Sequence, residues 1–524
     1  MLNSDFINIY DTTLRDGSQA EGVSFSMHDK IRIAENLDKF GVLYIEGGWP
    51  GSNPRDIAFF EAAKKINFIN SKLAAFGSTR RNNNKVEEDD NILKLLESEA
   101  PVVTIFGKSW LLHVNDVLRI SPDDNLKIIA DSCSFLHDKG REIIFDAEHF
   151  FDGYKDNSEY AKAALKTAVS NGATTVVLCD TNGGCLTSEI NTICKDVVNS
   201  LSKDIIVGIH CHNDSDLAVA NSLTAVEAGI RHIQGTINGY GERCGNANLC
   251  SILPNLELKM HKKVLPDGNL TKLKELSRFV DEITNLKNNH RQPYVGDSSF
   301  AHKGGMHVNA VDKNPVTFEH VTPELVGNKR RILVSDLSGK SNILMKIAEH
   351  NLETISKDEL KDVLENLKKM ENEGYEFETA DASFSIMLDK AMNRHTPFFS
   401  LDGYSVIIEQ RGHDKPCIAE ATVKVNVKGE HELTAAEGEG PINALDKALR
   451  KALRRFYPEI KDVKLNDYKV RILEGNDGTA SKTRVLIESG NGKETWETVG
   501  VSENIIEASW EALVDSVEYI LQKE

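Results

Sequence analysis

No segment of the 524 residues approaches the roughly 18 uninterrupted apolar positions that a membrane-spanning helix needs, and the opening MLNSDFINIY lacks a basic stretch followed by an apolar run. The expectation is a protein of the cytoplasm. Positive charge is also scarce: 62 Lys+Arg against 80 Asp+Glu leaves a formal net charge of −18. That balance argues against a general nucleic-acid or anionic-membrane surface, and it makes any anionic ligand depend on a local cluster of cations. The eight cysteines (Cys133, Cys179, Cys185, Cys194, Cys211, Cys244, Cys250 and Cys417) form no CxxC pair and no framework spacing, so they read as reduced thiols. Beyond the short polar run 80–90 there is no low-complexity tract. At roughly 100 to 200 residues per domain, the length predicts two to four domains.

The first half alternates short β-branched runs with segments of helical spacing, at a repeat of roughly 30 residues. Candidate strands are 7–13, 42–49, 72–78, 102–108, 141–150, 174–183, 205–214 and 232–241. Helical spacing occupies stretches such as 29–40, 124–137, 159–170 and 217–228. Apolar runs each followed by a helix predict a parallel sheet buried on both faces, and eight consecutive units fit an α/β fold, a closed (β/α)₈ TIM barrel over residues 1–265. An open doubly wound sheet is the rival. Polar and glycine-rich residues gather at the C-terminal strand ends, where such barrels carry their chemistry. Residues 266–394 read as helical linker subdomains interrupted by a Gly/His/Pro-rich stretch, 294–323. Residues 395–524 change again, to strands at 404–410 and 418–428 and a helix at 441–455, then strands at 467–474, 482–488 and 495–501 and a helix at 504–521. A shift of 64 lays NALDKAL (443–449) on EASWEAL (507–513), which predicts a duplicated α+β module.

HCHND in the seventh candidate strand places His210 and His212 two residues apart, so both imidazoles point to one side of an extended strand. Strand 8 neighbours strands 7 and 1 in a closed barrel, which brings Asp16 of TTLRDG and either Asn246 or Asn248 of GYGERCGNAN to the same place. Two imidazoles, a carboxylate and an amide oxygen make a mixed site for Zn²⁺, Mn²⁺, Co²⁺ or Mg²⁺ with positions left open for a 2-oxo acid. Arg15, beside Asp16, is placed to stabilise a developing alkoxide. GYGERCG matches a loose GxGxxG, but it lacks the βαβ context and the ribose-binding acid of a dinucleotide site.

TTLRDGSQ (12–19), CDTNGG (179–184), HCHNDSDLAVANSLTAVEAG (210–229), GYGERCGNANL (239–249) and FAHKGGMH (300–307) together resemble the acyl-CoA-condensing branch of the DRE-type TIM-barrel metallolyases. That branch includes isopropylmalate, homocitrate and citramalate synthases, and the resemblance covers the whole chain. It implies that Asp16, His210, His212 and Asn246 ligate a divalent metal and that Arg15 holds the keto oxygen of the acceptor. It further implies that Glu148 and Thr181 bind substrate, and that His307, with His302 as a second candidate, deprotonates acetyl-CoA from the connector, of the same or a partner subunit. The C-terminal module is similar to a leucine- or isoleucine-sensing regulatory domain, which implies isoleucine as effector and a homodimer or higher homo-oligomer. Three segments, IEGGWPGSNP, GSTRR and FDAEHFFDGY, resemble one branch of citramalate synthases, whose acceptor is pyruvate. The alternative is a 2-isopropylmalate synthase with 2-oxoisovalerate as acceptor. Trp49, Phe150 and Tyr154 are candidates for narrowing the acceptor pocket to a methyl group. Arg80, Arg81 and Lys303 are the candidate cations for the CoA phosphates.

Overall fold

The computed structural model describes residues 6–333, 357–377, 379–392, 394–410, 417–473 and 481–523. Two compact units divide the chain. One holds the residues up to Phe300 together with His320–Arg330, and the other holds Ala301–Glu319 and the residues from Arg331 onward.

Eight parallel strands close the first unit into a barrel in chain order: β1 (Asn8–Asp11), β2 (Tyr44–Gly48), β3 (Lys72–Ser78), β4 (Val102–Lys108), β5 (Glu142–Glu148), β6 (Ala173–Asp180), β7 (Ile206–Cys211) and β8 (His232–Gly235). β1 pairs with β8, Tyr10 opposite Gln234, so no edge strand remains and the open-sheet rival is excluded. The strands read as apolar runs because both faces are covered. Ile9, Ile45, Val103, Ile143, Leu178 and Ile209 pack in the large core with helix residues such as Ile33 and Leu37. Tyr10, Tyr44, Val102, Ile144 and Val177, on the other phase of the same strands, form a separate cluster. Two residues further along that inward phase the character changes: Glu46, Thr104, Asp146 and Gln234 are all buried. The barrel interior is therefore apolar below and polar toward the C-terminal strand ends.

Local signals set the helix limits. Ser26 caps the helix Met27–Phe40, its hydroxyl accepting from Asp29 N at 3.2 Å while the Asp29 carboxylate accepts from Ser26 N. Gly41 ends the same helix at φ 95°, where Pro266 would meet an added Cβ at 2.4 Å.

In the second unit a two-stranded ladder joins β9 (Ala301–His302) to β10 (Arg331–Ile332), followed by the helices Lys357–Glu373 and Asp381–Ala391. Two antiparallel sheets then repeat one design. β11 (Ser400–Glu409), β12 (Ile418–Val427) and β13 (Glu430–Gly438) precede the helix Pro441–Leu453; β14 (Lys464–Ile472), β15 (Thr483–Gly490) and β16 (Thr495–Ser502) precede the helix Ile505–Lys523. The 64-residue shift carries detail. The register slips between Leu401 and Gly403 and again between Leu465 and Asp467. Thr434 Oγ1 donates to Ala448 O at 2.7 Å, and Thr498 Oγ1 donates to Ala512 O at 2.8 Å. β13 has no counterpart among the predicted strands. It is an edge strand on which only Thr434 is buried, so it lacks the apolar alternation that marks a strand in sequence. The expected boundary at 395 falls between the helix Asp381–Ala391 and its partner Ile505–Lys523, which are joined by Ser383 Oγ donating to Asp515 at 2.7 Å.

Candidate active site

The polar layer of the barrel opens into a cavity of about 190 Å³ at the C-terminal strand ends, lined by Arg15, Asp16, Glu148, Thr181, His210 and His212 among others. Sequence reasoning named these six, and the barrel closure brings them together.

β1 ends at Asp11, whose carboxylate accepts from Thr13 N and Thr13 Oγ1, both at 2.9 Å, and this folds the chain back over the barrel mouth. The turn presents Arg15 and Asp16. Arg15 Nε donates to Glu46 Oε2 at 2.6 Å, and its guanidinium lies 3.8 Å over the Phe76 ring. Glu46, fully buried on β2, also accepts from Tyr10 OH at 2.7 Å and from Thr12 Oγ1. Glu46 was absent from the predicted site. A carboxylate at an inward-phase position of an apolar strand is the signal that marks it.

His210 Nε2 and His212 Nε2 lie 3.3 and 3.8 Å from Asp16 Oδ2, and 3.3 Å from each other. Burial pushes the Asp16 carboxyl up, but Arg15 and then the two histidines outweigh it and hold it well below the usual carboxylate range. Burial, and then the neighbouring His210, push His212 down to about 4. An ionised carboxylate and a neutral imidazole are the states in which these groups ligate a cation. His210 Nδ1 lies 2.9 Å from Gln234 Oε1, and Gln234 Nε2 donates to Asp146 at 3.0 Å. Burial and then Glu46 raise Asp146 to about 7.

Asn246 is bridged by its backbone to His212, and its Oδ1 is buried without a protein partner, as is His212 Nδ1. Asn248 is used differently, since its side chain caps the following helix by accepting from Cys250 N at 2.9 Å. The ligand atoms of Asp16, His210 and His212 lie within 4.8 Å of one another, a donor set that a divalent cation fits, and the orphaned amide oxygen of Asn246, bridged through its backbone to His212, is the candidate fourth donor.

Thr181 Oγ1 accepts from His149 N at 2.9 Å, which leaves its hydroxyl proton for a ligand. Glu148 pairs with Lys108. Arg243, outside the predicted set, lines the mouth and is held by Asp214 at 2.7 Å and by Thr181 O at 2.7 Å.

Two expectations need correction. The cavity's aromatic wall is Phe76 and Phe106, stacked at 5.4 Å, rather than Trp49, Phe150 and Tyr154. Trp49 stands behind that wall, edge-on to Phe76 at 5.8 Å and to Phe106 at 5.6 Å, with its Nε1 donating to Asn91. Phe150 is fully buried in the core, and Tyr154 OH donates to Asp196 at 2.8 Å. Arg80 is not a cation available to phosphates. It is buried, paired with Asp131 at 2.7 Å, and donates to the carbonyls of Arg81, Asn82 and Asn84 as the organiser of its own loop.

His302, Lys303 and His307 belong to the second unit. His302 Nε2 lies 3.1 Å from the buried Glu319 carboxylate. His307, on the helix Gly305–Lys313, is exposed and stacks on Phe318 at 4.2 Å. All eight cysteines are free, six of them buried. Among the described residues no helix is long and apolar enough to cross a membrane.

Three families match successive parts of the chain: HMGL-like over residues 6–280, homocitrate synthase post-HMGL domain-like over 294–375, and the LeuA allosteric (dimerisation) domain over 378–521. The chain is 56% identical to an (R)-citramalate synthase of Geobacter sulfurreducens, over 99% of this chain and 98% of that one. It is 57% identical to the (R)-citramalate synthase of Aquifex aeolicus, over 99% and 98%. Identity to the 2-isopropylmalate synthase of Methanocaldococcus jannaschii is 32%, over 99% and 95%.

Proposed function

The chain belongs to the citramalate synthase family of acyl-transferring enzymes, and we propose that it condenses acetyl-CoA with pyruvate and hydrolyses the product thioester to (R)-citramalate and CoA. The observation that carries the choice of acceptor is the 56–57% identity over nearly the whole chain to (R)-citramalate synthases, against 32% to a 2-isopropylmalate synthase. The stacked rings of Phe76 and Phe106, backed by Trp49, are the apolar wall against which the acceptor's alkyl group would lie, and at 32% identity a 2-isopropylmalate synthase is the weaker reading.

Asp16, His210, His212 and Asn246 would hold a divalent metal (Zn²⁺, Mn²⁺, Co²⁺ or Mg²⁺), which supplies Lewis acidity toward a chelated 2-oxo acid. Arg15, fixed in plane by Glu46 and Phe76, directs its remaining donors at the keto oxygen, where negative charge develops. Thr181 donates to the acceptor carboxylate, and Glu148 orients the substrate from the opposite strand end. His307 removes a proton from the acetyl methyl group. His302 is the second candidate, with its Nε2 already engaged by Glu319. The freed carbon pair bonds the keto carbon of pyruvate, the keto oxygen takes up a proton, and water then cleaves the thioester to release CoA as its thiol. The two histidines act from the connector, of the same or a partner subunit in a homodimer or larger assembly. Lys303 and Arg81 serve the CoA phosphates. Isoleucine binds within residues 395–524 and lowers activity, a reading supported by the allosteric-domain match. The enzyme works in the cytoplasm, as part of isoleucine synthesis.

The test is thiol release from acetyl-CoA by chelator-treated protein. Release that requires both pyruvate and an added divalent metal, with (R)-citramalate as product, is expected. Release without either, or none with both, contradicts the proposal.

A further inference from the structure

His210 and Gln234 are partners in the β7–β8 ladder, so their side chains enter the barrel at one level. Asp146 reaches the same level from β5, 88 residues away in sequence. Gln234 is fully buried, and Asp146 is 4% exposed. The three form a line: Asp146 Oδ1 accepts from Gln234 Nε2 at 3.0 Å, and Gln234 Oε1 faces His210 Nδ1 at 2.9 Å.

The amide is oriented with its NH₂ toward Asp146 Oδ1, which accepts from it when the carboxyl is ionised and also when the proton sits on Oδ2. The carbonyl end then faces His210, and an acceptor at that place requires the proton on Nδ1. A neutral imidazole protonated at Nδ1 carries its lone pair on Nε2. Nε2 is the atom that stands 3.3 Å from Asp16 Oδ2 and 3.3 Å from His212 Nε2. His212 has no such support, since its Nδ1 is buried without a partner.

We propose that Asp146 and Gln234 are positioning residues that set the tautomer and ring angle of His210 for metal binding. This rests on the metal reading given above. Neither residue touches the acceptor in this role; both act through the imidazole. The competing account is that they are polar filling of the barrel interior, and the two accounts rank a pair of substitutions in opposite order. Gln234→Leu removes the acceptor but suits a buried site. Gln234→Glu keeps an acceptor for Nδ1–H but places a second carboxyl beside Asp146.

The experiment strips the full-length protein of metal and titrates Co²⁺ into wild type and both variants, read by calorimetry and by the visible absorption of the bound ion. Gln234→Leu is expected to weaken Co²⁺ binding by about 10- to 100-fold and to change the absorption envelope. Gln234→Glu is expected to stay within a few-fold of wild type in affinity while losing thermal stability. If Gln234→Leu binds within twofold of wild type, or better than Gln234→Glu, the relay is overturned. A wild type that takes up no divalent ion sinks the metal reading and the relay with it. Should either Gln234 variant fail to fold, Asp146→Leu removes the acceptor one step back, and unchanged Co²⁺ affinity there overturns the proposal equally.

Discussion

Arg15 Nε donates to Glu46 Oε2 at 2.6 Å across the β1 and β2 strand ends, and Glu46 has no solvent exposure at all. The pair fixes the guanidinium plane before any substrate arrives. Buried ion pairs cost desolvation that their attraction seldom exceeds, so the pair is better understood as preorganisation than as a source of stability.

Glu46→Gln should therefore cost activity more than stability. Loss of a preorganised donor at a developing oxyanion lowers turnover by ~100-fold or more, and a loosened Arg15 should approach that loss, while the melting temperature moves by a few degrees. Steady-state kinetics with thermal unfolding checks this. Unchanged turnover would remove Arg15 from the proposed role.

The metal cluster makes a second prediction. His212→Ala should lower divalent-metal affinity and turnover together by at least ~100-fold, and Asn246→Ala should lower affinity less, since it removes a neutral oxygen rather than an imidazole nitrogen. Metal content after dialysis, measured beside activity, separates the two. Retention of stoichiometric metal in His212→Ala would contradict the ligand assignment.

If Phe76 and Phe106 form the acceptor wall, substitution there should change which 2-oxo acid is used. Phe106→Ala should shift catalytic efficiency toward 2-oxobutanoate and away from pyruvate, because one methylene in an apolar pocket is worth about 1–3 kcal/mol, or roughly 10- to 200-fold. Trp49→Phe should have a smaller effect in the same direction through loss of backing. Competition between the two acids checks both variants, and an unchanged preference in Phe106→Ala would move the specificity determinant elsewhere.

Much of this site was legible from sequence, for a physical reason. Period-two spacing places His210 and His212 together, and barrel closure makes Asp16 their neighbour, so three residues dispersed in sequence converge by topology, with Asn246 bridged to His212 through its backbone. The supporting residues were not legible in the same way. Glu46 and Asp146 stand among the polar strand-end residues that mark the active face in sequence, but only the structure shows that they and Gln234 support Arg15 and His210. Trp49 and Phe150 misled because aromatic character says nothing about which side of a strand end a ring will pack. Arg80 misled because the sequence does not reveal that Asp131, on the helix Pro122–Asp138, captures it.

The second unit carries a pH signature. Burial pushes Glu518 up to about 7 from an ordinary 4.5, while backbone N–H donors such as that of Phe398 and the Lys390 charge oppose the shift. A carboxyl whose folded pKa is raised contributes its full stability below the unfolded pKa and loses it as pH rises through the folded one, so the window is about 4.5 to 7. Relative to Glu518→Gln, the wild type should be most stable near pH 5 and lose that margin by pH 8. Calorimetry of both proteins across this range decides, and a margin that grows with pH would contradict the assignment.

The central claim is that this barrel joins acetyl-CoA to pyruvate in preference to larger 2-oxo acids. Its most direct test is thiol release from acetyl-CoA, measured separately with pyruvate, 2-oxoisovalerate and 2-oxoglutarate under saturating metal. The account predicts a catalytic efficiency with pyruvate at least ~10-fold above either competitor; equal or higher values with 2-oxoisovalerate would contradict it.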